Sequence, residues 1–287
     1  MHSMRPGRSR RRALLPPWLL AAGAVLLVSG AAQAADRHVA GPPDAHEIMA
    51  RMNQAYYYAG KDMQARVTME IVSHGGDRRP RVMSVLRLTL PDGRDQKYLV
   101  YFHEPGDVRR MTCMVNKHAT GADERWIFVP AVNRVRRIEA PERSRFLASD
   151  FVREEFSGRD VEADTHKLLP DSLVNGRPCW VIESAPKDAA EYTRCDSWID
   201  KQTYLPLMQK FFDAQGQLQR VFTGGRIQEI RSHSGKRYPT LMERTMSAPS
   251  GDHWTRITFD SVEYDTGLKD VDFSEEHMKM QLSDWLR

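Results

Sequence analysis

Short β-type segments recur at close, regular intervals from residue 66 to residue 264, and this spacing leaves few folds open. Val67, Met69 and Ile71 alternate with Arg66, Thr68 and Glu70. Successive side chains of a strand point to opposite faces, so one face here is apolar and the other polar. Gly75-Gly76 separates this segment from a strand expected at 82–90, and Pro91-Asp92-Gly93 turns the chain into another at 96–103. The same pattern predicts strands at 110–116, 124–129, 133–139, 159–169, 173–185, 193–201, 204–213, 217–230, 237–247 and 254–264. Asn175-Gly176 and Asp213-Ala214-Gln215-Gly216 mark tight turns among them. Strands so closely spaced, with few helices between them, imply an antiparallel meander and a mainly β fold. No linker, repeat or low-complexity tract interrupts the pattern, so a single domain is expected over residues 35–287.

One helix is expected at the start of that domain. Asp44 can cap it, with Glu47 three residues on, and Ile48, Met52, Ala55, Tyr56 and Ala59 recur at helical spacing until Gly60. Its single apolar face needs an apolar surface to lie on. Two strands, Tyr98-Leu99-Val100-Tyr101-Phe102 and Trp126-Ile127-Phe128-Val129, are apolar on both faces. A sheet with one wet face would alternate cleanly, so both sides need cover. A curved sheet filled on one side by the Asp44–Ala59 helix and a loop satisfies this; so does an ordinary sandwich core, the more common outcome on pattern alone.

The first 34 residues read as a secretory leader and not as part of the fold. Arg5, Arg8, Arg10, Arg11 and Arg12 precede a short apolar run from Leu14 to Val28, and Ala32-Gln33-Ala34 is a small-x-small cleavage site. Ser9-Arg10-Arg11 hints at twin-arginine export, but Ala13 stands where a bulky apolar residue is usual, so ordinary export is expected. The whole chain has 42 Lys+Arg against 38 Asp+Glu, net +4. Without the five leader arginines, 37 basic residues face 38 acidic ones, net −1. No global basic field then remains to attract nucleic acid. Cys113, Cys179 and Cys195 include no C-x-x-C pair, so a redox or zinc function is not indicated; Cys179 and Cys195 flank a hairpin, and spacing alone leaves their pairing open.

The stretch Arg125–Phe151 is the richest in candidate function. An aromatic strand breaks at Pro130 and restarts with Arg134, Arg136 and Arg137; a charged loop with Arg143 and Arg145 then leads to Ser149-Asp150-Phe151, with Arg153 just beyond. Arginine's planar fork suits phosphate or carboxylate head groups, yet Glu139, Glu142, Asp150, Glu154 and Glu155 interleave and can neutralise the cluster. Alternation sets Val135 and Arg137 on one face and Arg134, Arg136 and Ile138 on the other. Methionines at 69, 83, 111, 114, 208, 242 and 246 fall on expected strands; they suit a cavity for varied alkyl chains, and equally the filling of gaps in a core. The sequence has no H-E-x-x-H, H-x-H, G-x-S-x-G or Walker motif. No catalytic residue, metal ligand or cofactor is assigned.

Arg125–Phe151 resembles the LolA-like family of outer-membrane lipoprotein-sorting proteins. The resemblance lies in Trp126, Phe128, Pro130, Val132, Val135, Arg136, Arg137 and Ile138, followed by Ser149, Asp150 and Phe151. Phe102-His103-Glu104-Pro105-Gly106-Asp107-Val108 upstream, and Trp198-Ile199-Asp200, Tyr204-Leu205-Pro206-Leu207 and Phe212-Asp213 with Gly216 downstream, extend it over most of the chain. The resemblance implies an unclosed antiparallel β-barrel of about eleven strands, with the N-terminal helix plugging its mouth and a helical or loop lid. It also implies a periplasmic, non-catalytic carrier that holds a lipid or lipid-like molecule, works beside an inner-membrane exporter of the resistance-nodulation-division type, and acts as a monomer. A non-catalytic envelope assembly protein is the alternative, and a lipid or glycan hydrolase is a third. On this basis the expected cavity residues are Met69, Ile71, Tyr98, Val100, Phe102, Trp126, Phe128, Trp198, Leu207 and Phe259. Arg136 and Arg137 are expected at a head group or partner surface, and Phe146 and Phe151 at a gate.

Overall fold

The computed structural model describes residues 43–119, 121–139, 145–152 and 154–285. The expected leader, Arg143 and Arg153 lie outside the described residues. Helix α1 spans Ala45–Tyr57 and is capped as its sequence predicts: the Asp44 carboxylate accepts from the Glu47 N–H at 2.7 Å. Glu47 itself pairs with Arg51 one turn on. Among the described residues no helix is long and apolar enough to cross a membrane.

Fifteen strands follow among the described residues: β1 Asp62–Val72, β2 Arg78–Thr89, β3 Gln96–Glu104, β4 Thr112–Lys117, β5 Glu124–Val129, β6 Arg134–Arg137, β7 Asp164–Val174, β8 Arg177–Pro186, β9 Arg194–Asp200, β10 Pro206–Phe212, β11 Leu218–Gly224, β12 Ile227–Arg231, β13 Arg237–Leu241, β14 Glu243–Ser247 and β15 Trp254–Tyr264. Thirteen of them form one antiparallel sheet in the order β6-β5-β4-β3-β2-β1-β15-β14-β11-β10-β9-β8-β7, and β12 and β13 pair as a separate hairpin. The sheet is an unclosed barrel whose edge strands, among the described residues, are β6 and β7.

The thirteen segments expected from the pattern, already more than the roughly eleven strands the resemblance implies, become fifteen strands for a local reason. The expected strand 217–230 is two strands, because the chain leaves the sheet at Gly224-Gly225. A Cβ on Gly224 would stand 2.7 Å from the Pro206 carbonyl oxygen, and one on Gly225 2.9 Å from the Glu243 side chain. Only glycine lets the backbones approach this closely. The expected strand 237–247 likewise divides at Met242 into β13 and β14.

Register fixes the faces. Val67 stands opposite Met83 and Phe259, Arg87 opposite Tyr98, Val85 opposite Val100, and Val100 opposite Cys113. These residues share the inner face, where α1 lies through Ile48, Met49, Met52 and Tyr56. Leu86, Leu99, Tyr101, Met114 and Phe128 take the alternate positions and face out. There they are covered by Leu268, Phe273, Met278 and Leu282 of the C-terminal segment, which includes α3 at Glu275–Lys279 and α4 at Leu282–Trp285. This cover explains why β3 and β5 are apolar on both sides. Helix α2, Glu154–Ser157, lies between the Ser149-Asp150-Phe151 turn and Gly158. Gly158 has φ +86°, and a Cβ there would meet the Tyr57 ring at 2.8 Å, so glycine lets this lid segment press onto α1.

The three cysteines are free. Cys195 stands opposite Ser184 and Cys179 opposite Asp200, so the two point to opposite faces of the sheet and do not bridge.

Candidate ligand cavity

The inner face carries an apolar cavity of about 110 Å³. That is room for several water-sized groups, each of which needs ~10–15 Å³. Its walls come from three sources. Strands β1 to β3 give Met63, Val67, Met69, Met83, Val85, Tyr98 and Val100; strand β15 gives Ile257 and Phe259; α1 and the lid give Tyr56, Tyr57, Phe146 and Phe156. Burial raises the Tyr98 phenol above its ordinary range and pushes Tyr56 up to about 12, against the pull of the Arg244 guanidinium. Both tyrosines therefore present neutral rings to the cavity at physiological pH.

The lid is held by polar contacts at its back and apolar ones beneath. The Phe146 and Phe156 ring centroids lie 4.2 Å apart with the rings tilted, and Phe151 packs on Phe156 at 5.5 Å. The Asp150 carboxylate accepts from the Thr255 hydroxyl at 2.7 Å, and that same hydroxyl accepts from the Asp150 N–H at 2.9 Å. The His253 ring lies 2.6 Å from the other carboxylate oxygen. The Ser-Asp-Phe turn is thus clamped to β15. In α2, the Glu155 carboxylate accepts from Arg220 of β11 at 2.8 and 3.0 Å and from the Val152 N–H at 2.9 Å. Burial pushes the Glu155 carboxyl up to about 7, although Arg220 pulls it the other way.

Basic groups also enter the cavity. Arg87 donates to the carbonyls of Tyr57, Ala59 and Gly60, which ends α1 with a buried cation, and burial lowers its pKa. Arg125 pairs with Asp123 at 3.0 Å. Arg244 of β14 lies with its guanidinium carbon 4.2 Å from the Tyr56 ring centroid and 4.6 Å from that of Phe259.

The residues expected at the site separate into three groups. Met69, Tyr98, Val100 and Phe259 line the cavity, and Phe146 lies under the lid against it. Ile71, Phe102 and Leu207 are buried in the inner core without lining the cavity, and Phe151 is buried in the lid behind Phe156. Trp126 and Phe128 lie on the outer face, and Trp198, on the outer parity of β9, packs at the margin of the inner core cluster without lining the cavity. Trp126 is opposite Met114, and with Phe128 it packs in the outer cluster under the C-terminal segment. Trp198 is opposite Val181 and Met208, with Lys210 over its ring at 5.2 Å, while its neighbours Ser197 and Ile199 point inward. Each tryptophan or phenylalanine sits one position off the inner parity, and hydrophobicity alone cannot fix that parity when both faces are apolar. Arg136 is opposite Ile127 and so on the inner-facing parity; Arg137 faces out, over Trp126 at 5.9 Å and paired with Glu124 at 3.0 Å. The two arginines therefore do not form one patch.

Sequence reasoning missed Met63, Val67, Met83, Val85, Ile257, Tyr56, Tyr57 and Phe156 as cavity wall. The first two share the alternation of Met69, which was the usable signal. It also missed Arg244, which interrupts the apolar parity Met242-x-Arg244-x-Met246.

The family model that matches covers residues 94–280 and is described as "Uncharacterized protein". No curated protein matches the chain. Among solved structures, one of a domain from Vibrio parahaemolyticus assigned to outer-membrane lipoprotein sorting is similar at 26% identity with a TM-score of 0.72, over 82% of this chain and 98% of that one. A DUF1329 family protein from Desulfovibrio piger is similar at 24% identity, TM-score 0.71, over 81% and 97% of the two chains. A LolA superfamily protein from Nitrosomonas europaea shares the fold at 16% identity, TM-score 0.62, over 82% and 100%. The chain belongs to the family matched over residues 94–280, and its unclosed barrel is that of the LolA-like outer-membrane lipoprotein-sorting proteins.

Proposed function

We propose that this protein is a periplasmic carrier that holds a lipid or lipid-like molecule in the inner cavity and passes it between envelope components. The observation that carries the reading is the cavity itself: an apolar, partly empty space between the sheet, α1 and a separately clamped lid. Each methylene moved from water into such a space contributes ~0.8 kcal/mol, so one alkyl chain drives capture without chemistry. About 110 Å³ does not hold a long chain whole. Loading therefore requires the Phe146–Phe156 underside of the lid to move off the sheet. Met63, Met69 and Met83 can then re-pack around chains of different shape.

Release needs a partner, because return to water costs what capture gained. An inner-membrane exporter of the resistance-nodulation-division type suits this step. The free edge strand β6, with Arg134, Arg136 and Arg137 exposed, is the proposed contact, and the carrier works as a monomer. Catalysis has no part in this scheme. Native mass spectrometry of protein isolated from the envelope should show a bound lipid, and delipidated protein should take up a fluorescent fatty acid. Protein that arrives empty and takes up none rules the carrier function out.

A further inference from the structure

We infer that the cavity is built for a single-chain lipid with an anionic head, carboxylate or phosphate monoester, and that Arg244 is the residue that binds the head; this rests on the carrier function proposed above. Arg87, Arg125 and Arg244 are the arginines that line the cavity. The terminal nitrogens of Arg87 donate to three main-chain carbonyls, although its Nε is unpartnered, and Arg125 pairs with Asp123. The Glu155 carboxylate beside the cavity is taken by Arg220. Among the described residues, no hydrogen bond or ion pair reaches Arg244, and its Nε is buried without a partner. Its contacts there are the Tyr56 and Phe259 rings on which the guanidinium lies.

A guanidinium stays charged at any physiological pH, and half-buried Arg244 gives up part of its hydration there without a counter-charge, at a cost. Ring faces offset part of that cost. They also hold the planar fork in place, leaving its N–H edges for a ligand rather than for the protein. A carboxylate or phosphate accepts two parallel hydrogen bonds from such a fork. Arg244 stands opposite Ile257 on β15, and Met63, Met69 and Met83 line the wall beyond. An acid bound at Arg244 would thus find its alkyl chain an apolar path along the same face. A neutral lipid would leave the guanidinium unmatched. The surface arginines Arg136 and Arg137 are not required for this selection.

The test uses the purified protein at pH 8 and displacement of a neutral apolar dye, N-phenyl-1-naphthylamine, by hexadecanoate, hexadecyl phosphate and hexadecanol. Wild type should bind at least one of the two anions about tenfold or more tighter than the alcohol, the factor that one charge-assisted hydrogen bond contributes. Arg244→Met should bring that ratio to about one while dye and alcohol binding persist, and Arg244→Lys should retain part of it. Equal binding of anions and alcohol by wild type, or an unchanged ratio in Arg244→Met, overturns the inference and leaves the carrier function standing. If wild type binds dye but Arg244→Met does not fold, Arg244→Ala and Arg244→Lys on the same dye decide: a ratio near one in Ala with a higher ratio in Lys supports the inference, and a wild-type ratio in Ala, or a Lys ratio no higher than that of Ala, overturns it. Failure of every lipid and of the dye to bind wild type removes the carrier function, and this inference with it.

Discussion

The two faces of strands β2 to β5 are made of similar residues and meet different fates. Outside, Leu86, Leu99, Met114 and Phe128 are sealed by Phe273, Met278 and Leu282, and Met278 is wholly buried. Inside, Met83, Val85, Tyr98 and Val100 border space that α1 and the lid do not fill. The outer contact is a core in the ordinary sense, where each lost methylene leaves a void. The inner one already contains its void. Apolar surface alone therefore does not mark a binding site; the completeness of its cover does.

Substitutions on the two faces should separate stability from uptake. Phe128→Ala, outside and 3% exposed, should cost ~3–5 kcal/mol in urea unfolding and leave lipid uptake per folded molecule unchanged. A loss of uptake with no loss of stability would erase the distinction between the faces. Val85→Phe, inside, should place its ring in the cavity, lower uptake of a fluorescent fatty acid severalfold, and change stability by less than ~1.5 kcal/mol. Full uptake by this variant would show that the ligand lies elsewhere.

The lid adds a pH dependence of its own. A glutamate in the unfolded chain titrates near ~4.3. Folded, Glu155 keeps its proton up to about 7 because it is buried. Between these values the folded state binds more protons than the unfolded one, so this group's stabilising contribution is complete below the lower value and is lost as pH rises through the upper one. Unfolding measured from pH 4 to pH 8 should show that decline, and Glu155→Gln should flatten it. An unchanged slope in the variant would assign the decline to other groups. Smallest of all, Arg137→Ala should alter stability by ~0.5 kcal/mol or less, because its pair with Glu124 is exposed. Crosslinking to an exporter should nevertheless weaken in that variant if β6 is the partner edge.

Much of the framework was legible in the sequence. The Asp44 cap and the apolar spacing of α1 are where they were expected. The mainly β, antiparallel character also follows from alternation and turns, since both are set within a few residues. Strand number was less legible, because the break at Gly224-Gly225 depends on how close Pro206 and Glu243 come across the sheet. The site was legible in part. Met69, Tyr98, Val100 and Phe259 share one face by register, whereas Trp126 and Phe128, equally apolar in sequence, lie under the C-terminal segment. The setting of Arg244 was hidden for the same reason: among the described residues its Nε has no partner, and that is a property of everything that surrounds it.

By itself, then, the sequence determined the periodicities: which segments extend, where the helix is capped, and which residues of a strand share a side. Tertiary structure alone decided which side is inside, because on strands apolar on both faces a shift of one residue exchanges the two without changing the pattern. It also decided which apolar face is sealed and which is left with room, since that depends on where Phe273, Met278, α1 and the lid come to rest.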